Sequence, residues 1–170
     1  VPLSTYRLQI HHAFPLTAAH DIVPYLARLG VDACYTSPYF TASPGSTHGY
    51  DVCNHNEINP EVGGMEAHGL FTATLAAHGM HHVVDFVPNH MGIGPENALW
   101  EDVLAHGERS RYAKWFDVTW NARGSQDHKI VLPVLGDELD AVLARGELSV
   151  RVRERKSPRV VYFQSSFPLD

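Results

Sequence analysis

In "VVDFVPNHMG" (83–92) an apolar run gives way to Asp85, Asn89 and His90. Val83, Val84, Phe86 and Val87 read as a buried strand, and on a strand residues 83, 85 and 87 share one face. Asp85 therefore points where its apolar neighbours point, into the packed side of a sheet or the axis of a barrel. An ionised carboxylate there is costly unless an arginine or a ligand hydroxyl meets it. His90, past the strand end, can hydrogen-bond a hydroxyl or move a proton. Spacing alone leaves two readings open: a site at the strand's end, or a satisfied core Asp with a loop-capping Asn.

A second cluster is "STHGYD" (46–51). Gly49 permits a turn beside an aromatic, and Tyr50-Asp51 then sets a flat ring next to a carboxylate. That pair suits carbohydrate, whose axial C–H groups lie on a ring while its hydroxyls donate to a carboxylate. A polar loop with one buried Tyr fits the same residues. Twelve histidines are many for this length. Neighbours such as His11-His12 and His81-His82 point to opposite faces of a strand, and no H-E-x-x-H spacing occurs. Dispersed surface or strand-end histidines are expected rather than a metal site. Trp100, Trp115, Phe116 and Trp120 either line a cleft or build a local core.

These residues need elements to hold them. "TYRLQI" (5–10) alternates like a strand. Residues 17–30 read as a helix, with Thr17 as N-cap and Gly30 as stop; Pro24 either kinks it or sits in a first turn that starts near Ile22. Residues 31–39 give a second strand, 41–64 a long polar loop, 65–78 a second helix ended by Gly79, and then comes the strand before Asn89. The order β-α-β-loop-α-β predicts parallel strands, in an open sheet or a (β/α)8 barrel. Both architectures keep their sites at the carboxyl ends of the strands. No G-x-G-x-x-G or G-x-x-x-x-G-K-[ST] occurs, so the dinucleotide and P-loop readings lose their support.

Beyond residue 92 the pattern changes. Residues 95–107, 109–116 and 137–146 read as helices, and 129–136 as a strand or extended loop. Residues 147–154 and 159–164 read as antiparallel strands, with "RVRERK" (151–156) as a solvated edge. The expected organisation is therefore residues 1–94 and a separate α+β part over 95–170.

Bulk composition is that of a soluble globular chain: 170 residues, 44% hydrophobic and 19% charged. A net charge of −6 offers no broad basic surface to nucleic acid or to an anionic membrane. No apolar run has the length of a membrane span. Cys34 and Cys53 lack a metal spacing and read as free thiols of a reducing compartment, which predicts a cytoplasmic location. Val1 at the start and Asp170 just after an apolar segment suggest a piece of something longer.

Several stretches together resemble the α-amylase superfamily: "STYRLQ" (4–9), "YLARLGVDACYTSPYFTASPGSTHGYDV" (25–52), "INPEVGG" (58–64) and "DFVPNHMG" (85–92). Within it, "WEDVLAHGERSRYAKWFDVTW" (100–120), "LPVLG" (132–136) and "FPL" (167–169) are similar to the N-terminal part of the maltooligosyl trehalose synthase family. The resemblance implies an α/β fold. It is a partial (β/α)8 barrel of three βα units, with the start of an α+β subdomain inserted after the third strand. It implies an enzyme that converts the reducing-end α-1,4 bond of a maltooligosaccharide into an α,α-1,1 bond through a covalent glycosyl-enzyme. The substrate is a maltooligosaccharide or α-glucan, with no cofactor.

Carried onto this sequence, Tyr50 matches a tyrosine that stacks on the transferred glucose. Asp51 matches an acid that steadies the site, and His90 a histidine that hydrogen-bonds the same glucose. Asp85 and Asn89 match positions that hold the loop after the third strand, with His48 as a further support. The Asn89 position binds calcium in many amylases, but the carboxylate-rich loop for it is not seen here, so no metal is expected. The family's nucleophile, general acid and third carboxylate follow the fourth, fifth and seventh strands, so no catalytic acid is expected within these 170 residues. The chain alone is expected to be inactive. His68, His81, His82 and Cys34 depart from the family pattern, and His81-His82 is expected to precede the third strand. An amylase-type hydrolase and a non-catalytic carbohydrate-binding remnant are the rival readings.

Overall fold

A computed structural model describes residues 2–120, 130–152 and 157–169. The chain divides into two compact units, Val1–Ile93 and Gly94–Asp170.

In the first unit, strands β1 (Thr5–Leu8), β2 (Ala33–Thr36) and β5 (His81–Val84) form a parallel sheet in the order β1-β2-β5. Helix α1 (Leu16–Leu29) joins the first two strands, and α2 (Gly64–Ala77) leads into the third. Leu16, Ala19, Val23 and Leu26 recur at helical spacing on α1, and Ala67, Phe71 and Leu75 do so on α2. These stripes, with Leu8, Ile10, Cys34 and Met80, form the buried core. The predicted helix is continuous through Pro24, and Pro15 rather than Thr17 occupies its N-cap position. Gly30 closes it in a left-handed conformation, φ 83°, as predicted.

The predicted polar loop over 41–64 instead holds a hairpin, β3 (Phe40–Ala42) against β4 (Val52–Ile58). Asn54, His55, Asn56 and Glu57 hide that strand from any apolar alternation, and two register shifts break the ladder. The third sheet strand also starts earlier than expected. His81 and His82 lie within β5 rather than before it.

His82 faces the helices. Its Nε2 lies 3.1 Å from Thr36 Oγ1, its ring stacks on Tyr39 at 6.0 Å, and the edge of Phe71 stands 5.2 Å away. His68 of α2 is part-buried 6.5 Å from it. Val83 and Phe86, expected in the core, are exposed at 38% and 51%. Val83 belongs to the sheet face opposite the helices, and the described residues do not cover that face.

The second unit pairs helices with an antiparallel sheet. Helix α3 (Ala98–His106) starts at buried Asn97, whose Oδ1 accepts from the amides of Leu99 and Trp100. Helix α4 (Leu139–Ala144) precedes a meander of β6 (Leu148–Arg151), β7 (Arg159–Tyr162) and β8 (Ser165–Pro168). The β6–β7 pairing is the predicted one, and β8 is an addition. Residues 153–156 of the basic run lie outside the described residues.

Arg159 grips Glu101 bidentately at 2.6 and 3.1 Å, tying β7 to α3. The helix expected over 109–116 is two short 3-10 turns, Gly107–Arg109 and Ala113–Trp115. Extended Ser110 separates them; its hydroxyl donates to Asp102 and accepts from the Tyr112 amide. In the aromatic set, Trp100 is buried 5.0 Å from Phe116, while Trp115 is 69% exposed.

Candidate functional site

Strand register brings the first side chains together. Arg7 of β1 pairs with Tyr35 of β2, which pairs with Val83 of β5, and all three point to the uncovered face. Asp85, two residues beyond Val83, continues that face. Tyr50 reaches it from the loop before β4. The Tyr50 hydroxyl donates to Asp85 Oδ2 at 2.5 Å, the Tyr35 hydroxyl donates to the same oxygen at 3.1 Å, and Arg7 Nη1 donates to it at 3.3 Å. Arg7 Nη2 donates to the Tyr50 oxygen at 3.2 Å, and the guanidinium lies 4.6 Å over the Tyr35 ring.

This arrangement sets the charges. The hydrogen bond from Tyr50 is the main cause that holds the Asp85 carboxyl below the usual carboxylate range, with Tyr35 and Arg7 adding to it. The same bond raises the Tyr50 phenol, and the bond to Tyr50 raises Arg7. Asp85 therefore stays ionised and accepts hydrogen bonds rather than giving up a proton. The Arg7 and Asp85 side chains are 38% and 17% exposed, so their ion pair is open to solvent and adds little to stability.

The loop carrying Tyr50 holds itself. Ser46 Oγ donates to Asp51 Oδ1 at 2.5 Å and accepts from the Gly49 amide at 3.1 Å. Gly49 sits at φ 74°, where a Cβ would stand 2.2 Å from the Pro38 carbonyl oxygen, so only glycine fits. Gln9, past the end of β1, donates to the Thr47 carbonyl at 3.1 Å. Gly92 packs into the same loop: its amide donates to Val52, and a Cβ there would lie 2.7 Å from the Asp51 carbonyl.

The other predicted residues fall into place unequally. His48 accepts the Tyr50 amide on Nδ1 at 3.1 Å and stacks on the Tyr50 ring at 5.9 Å. Because that nitrogen is an acceptor, its 3.7 Å approach to Asp51 is not an ion pair. Asn89 and His90 are exposed on the loop after β5 and stand outside the Arg7–Tyr50–Asp85 network. Among the described residues, no group of three or more His, Cys, Asp or Glu is placed to hold a metal. Arg7 and Tyr35 were missed by the sequence reading, although Asp85 was expected to need an arginine. Over residues 1–93 the Lys and Arg residues are Arg7 and Arg28 alone, and Arg28 ends a helix. Elimination would have found Arg7.

Chemically, the group presents an aromatic ring beside an ionised carboxylate on a tethered loop. It can bind and orient a polyhydroxylated ring, and it supplies no acid for breaking a bond.

Comparison with known proteins shows the family. The sequence pattern of the α-amylase catalytic domain (Alpha amylase, catalytic domain) matches residues 16–135. The chain belongs to the α-amylase family. Within that family, a protein of Mycobacterium tuberculosis named as a maltooligosyl trehalose synthase is 41% identical over 150 residues; the match covers 84% of this chain and 19% of that protein. The structure of maltooligosyltrehalose synthase from Arthrobacter ramosus superposes with a TM-score of 0.85 at 44% identity, over 98% of this chain and 21% of that one. An intracellular maltogenic amylase of Bacillus subtilis is 37% identical over 98 residues, 58% of this chain and 16% of its own length. The chain thus spans about a fifth of the length of its relatives. Its parallel β/α unit is an α-amylase-type fold. No helix among the described residues is long and apolar enough to cross a membrane.

Proposed function

We propose that this chain is the N-terminal segment of a maltooligosyl trehalose synthase. Residues 1–94 would contribute three βα units of its (β/α)8 barrel, and 95–170 would begin a subdomain inserted after the third barrel strand. The enzyme turns the reducing-end α-1,4 bond of a maltooligosaccharide into an α,α-1,1 bond. Its nucleophile and general acid lie on later strands. This segment supplies one wall of the site. Tyr50 stacks on the transferred glucose and His90 hydrogen-bonds it, while Asp51 steadies the site. Asp85, Asn89 and His48 hold the loops that carry them.

One observation carries this reading over a hydrolase. The synthase structure matches 98% of the chain, so it extends across most of residues 94–170, whereas the maltogenic amylase matches 58%. Cys34 and Cys53 are buried and not joined in a disulfide, which suits a cytoplasmic enzyme. Product analysis of the full-length protein on maltopentaose is the test. A non-reducing, trehalose-ended pentasaccharide is expected. Free glucose with shorter maltose chains as the main products would replace the synthase reading with the hydrolase one.

A further inference from the structure

We propose that Arg7 is a positioning residue that fixes the Tyr50 ring, so that Tyr50 offers a substrate its face and not its hydroxyl. The inference rests on the reading of Tyr50 as the ring on which a glucose stacks, and adds how that ring is aimed and what it can recognise.

The Tyr50 hydroxyl has one proton, and Asp85 Oδ2 takes it at 2.5 Å. Arg7 Nη2 donates to the Tyr50 hydroxyl oxygen at 3.2 Å. The phenol is thus held as donor and as acceptor at once, and its proton is not available to a sugar hydroxyl. Arg7 is itself fixed twice, by Nη1 on Asp85 Oδ2 at 3.3 Å and by stacking over Tyr35 at 4.6 Å. A planar guanidinium spans two oxygen acceptors from one side chain, which an ammonium, a point charge, does not reproduce. Tyr50 sits on a loop, and loops leave a ring free to reorient. Arg7 transfers its orientation to the strands, because Arg7 and Tyr35 are register partners on β1 and β2.

A stacked face selects the apolar side of a pyranose and tolerates changes in its hydroxyls. Removing Arg7 leaves the Tyr50 hydroxyl tethered through Asp85 alone. Removing the Tyr50 hydroxyl breaks the bond to Arg7 from the other end, and the bond to Asp85 with it.

A double-mutant cycle in the full-length protein tests this, with Arg7→Met, Arg7→Lys, Tyr50→Phe and the Arg7→Met/Tyr50→Phe double variant. Steady-state kinetics on maltopentaose are read on whichever product the wild type forms, and thermal unfolding is followed in parallel. Arg7→Met and Tyr50→Phe are each expected to raise KM about tenfold with kcat within about threefold, because stacking is lost equally from ground and transition states. The double variant is expected to be no more than about threefold worse than Tyr50→Phe alone, because Tyr50→Phe already removes the bond that Arg7→Met removes. Arg7→Lys is expected to recover less than half of the loss.

The proposal is overturned if the single effects multiply in the double, if Arg7→Lys is fully active, or if Arg7→Met leaves KM unchanged. A merely structural role would lower kcat through a smaller folded fraction at constant KM, so the split separates the two even if Arg7→Met lowers the unfolding temperature. Glucose release by the wild type would overturn the synthase reading and leave the Arg7 cycle intact.

Discussion

His82 and Asp85 stand three residues apart on opposite faces of one sheet, and both hold their protons less tightly than usual. The causes are opposite. His82 packs against Phe71, Tyr39 and His68, and burial, helped by His68, pushes its imidazole down to about 4. Asp85 is lowered by hydrogen-bond donors, first Tyr50 and then Tyr35 and Arg7. The first shift removes a charge from a dry interface, and the second keeps one in a wet site. The helix face of the sheet is where stability resides. The other face is where charge is kept, held by hydrogen-bond donors. Substitutions on the two faces should therefore fail differently.

The largest stability effect belongs on the helix face. Phe71→Ala removes a fully buried ring from between α2 and the sheet, and should cost about 3–5 kcal/mol of unfolding free energy in denaturant titrations of the full-length protein. A loss within about 1 kcal/mol would mean that this face is not the core.

Next comes acid. The folded pKa of His82 lies below its unfolded value near 6.5, so the unfolded chain takes up a proton first. Stability is intact above about pH 6.5 and falls as the pH drops toward about 4, by up to about 3 kcal/mol. His82→Leu should flatten that slope in unfolding curves recorded across the window. Asp85 adds a loss only lower, as the pH falls through its own depressed value.

Gly49→Ala should come third. It forces a Cβ against Pro38 at a positive φ and should cost on the order of 1–3 kcal/mol, with weaker maltooligosaccharide binding by calorimetry as the loop shifts. The smallest stability change is expected for Asp85→Asn, within about 1 kcal/mol because its ion pair is solvent-exposed. Its catalytic loss should nonetheless exceed about tenfold in kcat/KM, and an unchanged kcat/KM would break the comparison between the faces.

Much of this contrast is legible in the residue order. Period-2 alternation on three short strands shows that Asp85 shares a face with Val83, and a lone carboxylate calls for a cation. The parallel β-α-β order follows from Gly30 and from the stripes on α1 and α2. Other parts were hidden for physical reasons. The β3–β4 hairpin escapes notice because Asn54 to Glu57 carry no apolar period. The role of Arg7 depends on register between strands 28 residues apart in pairing, Arg7 with Tyr35, which no local pattern encodes. Val83 looked like core because an apolar residue on a parallel strand usually has helices or strands on both sides. Ser110 broke a helix through its own hydroxyl bonds rather than through any Gly or Pro.

Gly92 gives the two loops at the site a shared mechanical fate. With no side chain between them, the segment after β5 lies backbone to backbone against the Tyr50 loop, joined by the bond from the Gly92 amide to the Val52 carbonyl at 2.9 Å. His90 stands two residues before that bond and Tyr50 two residues before Val52, so the two loops share one backbone attachment between the residues they carry.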